Sequence, residues 1–132
     1  ATRVAQAIAG GARLVQFRDK SRDAFGRLRE ARSLLSVCRA AGVPLIVNDD
    51  LELAQQIGAD GVHLGRDDAG AEEARARLGP RAIIGVSCYN RLERARTAAG
   101  TDASYVAFGR FFPSNTKPGA VQALPALLTL RR

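Results

Sequence analysis

The chain has 132 residues, 46% of them hydrophobic, which suits one globular unit with a buried core and excludes two ordinary domains. No apolar run reaches a membrane span, Arg3, Gln6 and Arg13 interrupt the place of a secretory leader, and Cys38 and Cys88 lack zinc or disulfide spacing. A cytoplasmic protein without membrane contact is expected, and its net charge of +7 comes from arginines scattered over helices without a nucleic-acid-binding signature, so no nucleic-acid partner is expected either.

Taken in order, Thr2 to Ala9 carries Val4, Ala5 and Ile8 at helical spacing, and Gly10-Gly11 ends it. Ala12 to Phe17 is the first expected strand. Gln16, Arg18 and Lys20 share period-two spacing, so in extended chain they project from one side and can converge on an anion. Each alone reads more plainly as a solvated strand end. Gln16 is the odd one, because its neighbours are apolar. Lysine occurs only at Lys20 and Lys117 in a chain that otherwise uses arginine, and a compact ammonium suits phosphate.

Ser21 or Asp23 can cap a long helix with Phe25, Leu28, Ala31, Leu34, Leu35 and Cys38 on one face. The richest stretch runs from Val43 to Asp68. Val43 to Val47 reads as a strand covered on both faces, and Asn48, Asp49 and Asp50 can cap the helix bearing Leu51, Leu53, Ala54 and Ile57. A second strand, Gly61 to Leu64, closes with Gly65, Asp67 and Asp68. This is a βαβ unit with acids at the carboxyl ends of both strands. His63, the single histidine, lies inside a strand between Val62 and Leu64; the plainer reading is a positioned structural residue, the sharper one an acid or base.

A helix from Ala71 to Leu78 follows, then a strand from Ala82 to Val86 ending at Ser87, Cys88, Tyr89 and Asn90. Next come a helix from Leu92 to Ala99 and a strand from Ser104 to Gly109. A loop with Ser114, Thr116 and Lys117 leads to an amphipathic segment, Val121 to Leu130. About five strands, each followed by a helix, predict an α/β fold whose polar residues gather at the carboxyl ends of strands, the active-site rim of (β/α)8 barrels. Asp49 and Asp68 are hard oxygen ligands suited to Mg²⁺. Arg18, Lys20 and Lys117 would balance a diphosphate, and Ser87, Ser114 and Thr116 would donate hydrogen bonds.

These pieces resemble the thiamine phosphate synthases. The resemblance is carried by GARLVQFRDK, VPLIVNDDLELAQQIGADGVHLGRDD, IIGVSCYN and YVAFGRFFPSNTKP, which hold a QxRxK motif, an ND pair, GVHLG followed by an acid, GVS, and a hydroxyl-x-Thr-Lys loop. It implies a (β/α)8 TIM-barrel transferase of thiamine biosynthesis with Mg²⁺ as cofactor. Such an enzyme couples 4-amino-2-methyl-5-hydroxymethylpyrimidine diphosphate with thiazole phosphate, giving thiamine phosphate and diphosphate. Asp49 and Asp68 then look like the metal ligands. Gln16, Arg18, Lys20, Asn48, Ser87, Ser114, Thr116 and Lys117 look like substrate-binding residues, with Lys117, Ser87 and Arg18 closest to the chemistry.

The chain departs from the family pattern at Arg66, at Cys88-Tyr89-Asn90 and at Ser114. A complete barrel needs roughly 200 to 250 residues. Against that pattern the first strand and the last two strands are missing, so residues 1–132 are expected to form an incomplete barrel whose open edges favour a homo-oligomer or the missing remainder of the barrel. Two alternatives stand beside the synthase. One is a thiazole tautomerase of the same superfamily, which would not need both acids and the Thr116-Lys117 loop. The other is a truncated, non-catalytic diphosphate-binding remnant.

Overall fold

Short β-rich runs such as Leu45-Ile46-Val47 bury their backbone polar groups only by pairing with other strands. In the computed structural model, which describes residues 2–65, 70–89, 92–99 and 103–108, five such runs pair in parallel. The elements are α1 (Thr2–Ala9), β1 (Val15–Phe17), α2 (Ala24–Ala41), β2 (Leu45–Asn48), α3 (Leu51–Ile57), β3 (Gly61–Leu64), α4 (Ala71–Leu78), β4 (Ile83–Tyr89), α5 (Leu92–Ala99) and β5 (Tyr105–Phe108). The strands lie side by side in sequence order, β1-β2-β3-β4-β5. Right-handed crossovers that never reverse direction return every helix to the same face, the arrangement of a barrel; a doubly wound sheet reverses its order and is covered on both faces.

Strand alternation therefore separates two populations of side chains. Phe17, Leu45, Val47, Val62, Leu64 and Ile84 point toward the helices and pack with Ala31, Leu35, Cys38, Leu51, Leu53, Ala54 and Ala74 into the core. The register aligns the other population in rows on the opposite face. Gln16, Ile46, Gly61 and Ile83 form one row, and Asn48, His63, Gly85 and Tyr105 the next, with Ser87 beside Ala107 beyond it. Cys38 and Cys88 are both buried and unpaired, and burial pushes both thiols above their ordinary pKa.

The helix termini follow their capping residues. Asp23 accepts from the Gly26 amide at 3.0 Å to start α2, and Asp50 accepts from the Leu53 amide at 2.9 Å to start α3. Both helices end on a left-handed glycine, Gly42 and Gly58. At the amino ends of the strands the polar groups are spent on structure. Asp60 Oδ2 accepts from the Leu45 amide at 2.8 Å, and the Arg75 guanidinium donates to the carbonyls of Gly79, Pro80 and Ala82. Ser104 Oγ accepts from the Ile84 amide at 3.0 Å.

Several boundaries differ from the sequence expectation. β1 starts at Val15, because Ala12 to Leu14 gain no place in the ladder, and it stops at Phe17, so Arg18 and Lys20 lie beyond the strand and its alternation. β4 runs on to Tyr89 because it pairs with β5 as far as Phe108, which puts Ser87 within the strand. Phe25 is 80% exposed, because it sits in the first turn of α2, ahead of Ala31, the first fully buried residue of that helix. None of the described helices is long and apolar enough to cross a membrane.

Gly61 is the tightest point of the sheet, since a Cβ there would collide with the Ile83 carbonyl and the Ile46 side chain. Gly61→Ala is expected to lower unfolding stability by about 1–3 kcal/mol. Gly10→Ala, where a Cβ meets only carbonyls at 3.5 Å, should be close to neutral in the same denaturant titration.

Candidate functional site

The row that faces away from the helices ends in polar groups at the carboxyl end of the sheet. Gln16 alternates with Val15 and Phe17, so it emerges on the face opposite the core, where its Nε2 donates to Asn48 Oδ1 at 2.6 Å. This explains a polar residue inside an apolar run. The bond fixes one end of each amide and leaves Gln16 Oε1 as an acceptor and Asn48 Nδ2 as a donor.

The next two residues of β2's end share a charge but not a task. Asp50 is committed: it caps α3 and lies 3.9 Å from the Arg27 guanidinium. Asp49 has the left-handed φ of 64°, held by its amide, which donates to the His63 carbonyl at 2.8 Å. Among the described residues Asp49 is the only one other than glycine with positive φ, and its exposed carboxylate makes no hydrogen bond or ion pair among them. Aspartate tolerates this conformation better than most residues, yet it remains a strained choice. A left-handed residue at a strand's carboxyl end makes Asp49 a candidate site residue.

His63 is 9% exposed and engaged at both ring nitrogens, with Nε2 2.7 Å from Ser87 Oγ and Nδ1 2.8 Å from the Tyr105 hydroxyl. Tyr105 reaches it across a strand. The register aligns His63, Gly85 and Tyr105, and a Cβ on Gly85 would collide with the phenol end of Tyr105, so the missing side chain is the passage. The two rings lie 5.6 Å apart at 31°. Burial holds the Tyr105 phenol above its ordinary pKa, so it stays protonated through the neutral range.

The structure thus brings Gln16 to Asn48, and His63 to Ser87, on one face, with Asp49 at the same end. Arg18 and Lys20 follow β1 as exposed residues without an ion pair among the described residues. Asp68, Ser114, Thr116 and Lys117 lie outside the described residues. Among the described residues no group of three or more His, Cys, Asp or Glu side chains is placed to hold a metal. Among the described residues at this end, Asp49 offers a carboxylate without a hydrogen bond or ion pair, which fits one ligand of a hydrated Mg²⁺.

Tyr105 and Gly85 are the participants that sequence reasoning missed. Their signals were faint: a phenol opening an apolar strand, and a glycine interrupting Ile83, Ile84 and Val86. A separate cavity of about 260 Å³ opens between the starts of α2 and α3, beside Phe25, Arg27 and Asp50, among residues of the helical layer.

The sequence model of the thiamine monophosphate synthase family matches residues 1–130. A thiamine-phosphate synthase of Chromobacterium violaceum is 62% identical over 119 residues, covering 90% of this chain and 58% of that protein. One of Thiobacillus denitrificans is 58% identical over 125 residues, covering 95% and 59%. Among solved structures, a thiamine phosphate pyrophosphorylase from Pyrococcus furiosus superposes with a TM-score of 0.76 at 33% identity, over 85% of this chain and 55% of that one. A NadC deletion mutant shares the fold alone, with a TM-score of 0.52 at 16% identity over 85% and 39%. The chain spans about half the length of the curated relatives it matches. Their names do not favour the tautomerase alternative.

The division of labour between the two adjacent acids is directly measurable. Asp50→Ala, which removes a helix cap, should lower unfolding stability by about 1 kcal/mol. Asp49→Gly, which relieves a left-handed side chain, should leave stability unchanged or raise it by up to about 1 kcal/mol. A loss at Asp49 as large as that at Asp50 would make Asp49 structural.

Proposed function

The chain belongs to the thiamine monophosphate synthase family, and on that premise we propose that the intact protein joins the aminopyrimidine methyl diphosphate to thiazole phosphate, residues 1–132 contributing the half-site for the diphosphate within one barrel domain. The observation that carries this reading is the exposed, uncommitted Asp49 carboxylate, held in a strained backbone beside the Gln16–Asn48 pair and at the same end of the sheet as Ser87.

The reaction breaks the bond between the pyrimidine methylene carbon and the diphosphate oxygen, the electron pair leaving with the diphosphate. The thiazole nitrogen then supplies the pair for the new C–N bond. Charge grows on the leaving group, so the protein accelerates the step by placing donors and cations where that charge appears. Arg18, Lys20 and Lys117 supply positive charge, and Ser87, Ser114 and Thr116 supply hydroxyl donors. Gln16 and Asn48, tied to each other, present one acceptor and one donor in fixed directions to the pyrimidine or its diphosphate. Asp49 and Asp68 would hold Mg²⁺, which when bound offsets diphosphate charge. Its substrates are accordingly small molecules.

The test is calorimetric titration of the intact protein with the pyrimidine diphosphate, with and without Mg²⁺, alongside assay of thiamine phosphate formation. Binding should require Mg²⁺ and weaken at least tenfold in Asp49→Ala, while Glu52→Ala, an exposed residue of α3, behaves as wild type. Product formation should fall on the order of a hundredfold in Lys20→Ala if its ammonium stabilises the departing diphosphate. Binding of equal strength with and without Mg²⁺, unaffected by Asp49→Ala, would remove the basis of the assignment.

A further inference from the structure

Resting on the synthase reading for the roles of Lys20 and Asp49, we propose that Arg27 is a positioning residue that couples the loop carrying Lys20 to the turn carrying Asp49. Residues 18–23 connect β1 to α2 without regular structure, and side chains of the loop tie it together. Asp19 Oδ1 accepts from the Ser21 amide at 2.8 Å, which makes Lys20 the middle residue of a closed turn. Ser21 Oγ accepts from the Asp23 amide at 3.1 Å, and Asp23 in turn caps α2. These bonds order the loop within itself. They do not fix it against its neighbour, because the ladder between β1 and β2 ends at Phe17 and Val47, before either connection begins.

Arg27 supplies that link. It lies in the first turn of α2, and a helical side chain leans toward the amino end of its helix, here back over the loop. Its Nη1 donates to the Ser21 carbonyl at 2.7 Å, and its Nη2 lies 3.9 Å from Asp50 Oδ2. Asp50 holds α3 through its other oxygen, which accepts from the Leu53 amide at 2.9 Å, and Asp49 immediately precedes it. A guanidinium has donors and no acceptor, so the direction of both contacts is fixed. One planar fork thus spans two connections of the chain, a geometry that a lysine's point charge would lack.

Stability does not account for this residue. An ion pair between partly exposed side chains contributes little. Against it stands Arg27 Nε, which is buried without a hydrogen-bond partner among the described residues, an unfavourable state for a donor. The return is geometric. Lys20 is exposed, so the backbone at the centre of its turn decides where its ammonium can reach. Placement of that charge relative to the Asp49 carboxylate matters most when the diphosphate departs and its own charge grows.

Two readouts on the intact protein test this, and the first needs no ligand. Asp50→Asn keeps a capping side chain for α3 but removes the charge that faces Arg27. Amide hydrogen exchange at Ser21 and Asp23, across the gap between the two connections, should then quicken roughly two- to fivefold, while the Leu53 amide stays protected. Unchanged exchange at Ser21 and Asp23 overturns the coupling. The second readout is kinetic. Arg27→Ala should lower kcat/KM for the pyrimidine diphosphate roughly ten- to a hundredfold. Most of that loss should disappear when the same change is made in Lys20→Ala, because a residue that acts through Lys20 then has nothing left to position. Equal losses in both backgrounds, or an equal loss in Arg29→Ala, an exposed arginine of the same helix, would assign the effect to the fold or to surface charge and overturn the proposal. If the protein makes no thiamine phosphate at all, the synthase reading fails while the exchange measurement still decides the coupling.

Discussion

The constraint on which everything else depends is the unreversed parallel order of the five strands. Because each crossover returns the same way, all helices cover one face, and the period-two alternation of each strand becomes a sorting rule. Val47, Val62 and Ile84 go to the helices, while Asn48, His63 and Ser87 go to the other side. A polar row is thereby assembled from residues 16 to 105 without disturbing the core. A doubly wound sheet of the same length would have buried that row beneath a second layer of helices.

The two ends of the sheet divide the remaining polar chemistry. At the amino ends, Asp60, Arg75 and Ser104 satisfy backbone groups and tie strands to the turns that precede them. At the carboxyl ends the polar groups bond chiefly to one another, as Gln16 does with Asn48 and His63 with Ser87 and Tyr105, or remain uncommitted, as Asp49 does. Groups that stabilise the fold are used up by it. Groups available to a ligand keep hydrogen-bonding capacity in reserve, and that contrast makes the carboxyl-end rim the candidate site without reference to any relative.

Much of this was legible in the sequence, for identifiable reasons. The βαβ unit from Val43 to Asp68 shows its strands as apolar runs and its helix as a 3.6-residue pattern, and α3, α4 and α5 fall where the spacing puts them. Gln16 announced itself as a polar residue among apolar ones. The choice among Asn48, Asp49 and Asp50 as the cap was not legible, because all three are good capping residues and only the backbone turn at Asp49 decides it. Phe25 matched the helical stripe but falls outside the packed part of α2. The Tyr105–His63 contact needs the register of β3, β4 and β5 together, information that no single segment contains.

We propose that ligand chemistry belongs to the face opposite the helices, at the carboxyl ends of the strands, in a member of the thiamine monophosphate synthase family. A crystal structure of the intact protein with Mg²⁺ and the pyrimidine diphosphate tests it most directly. The diphosphate is expected at that rim, with the Asp49 carboxylate on the metal and the Ser87 hydroxyl facing a ligand atom. A ligand seated instead in the cavity between α2 and α3, beside Arg27 and Asp50, would contradict it.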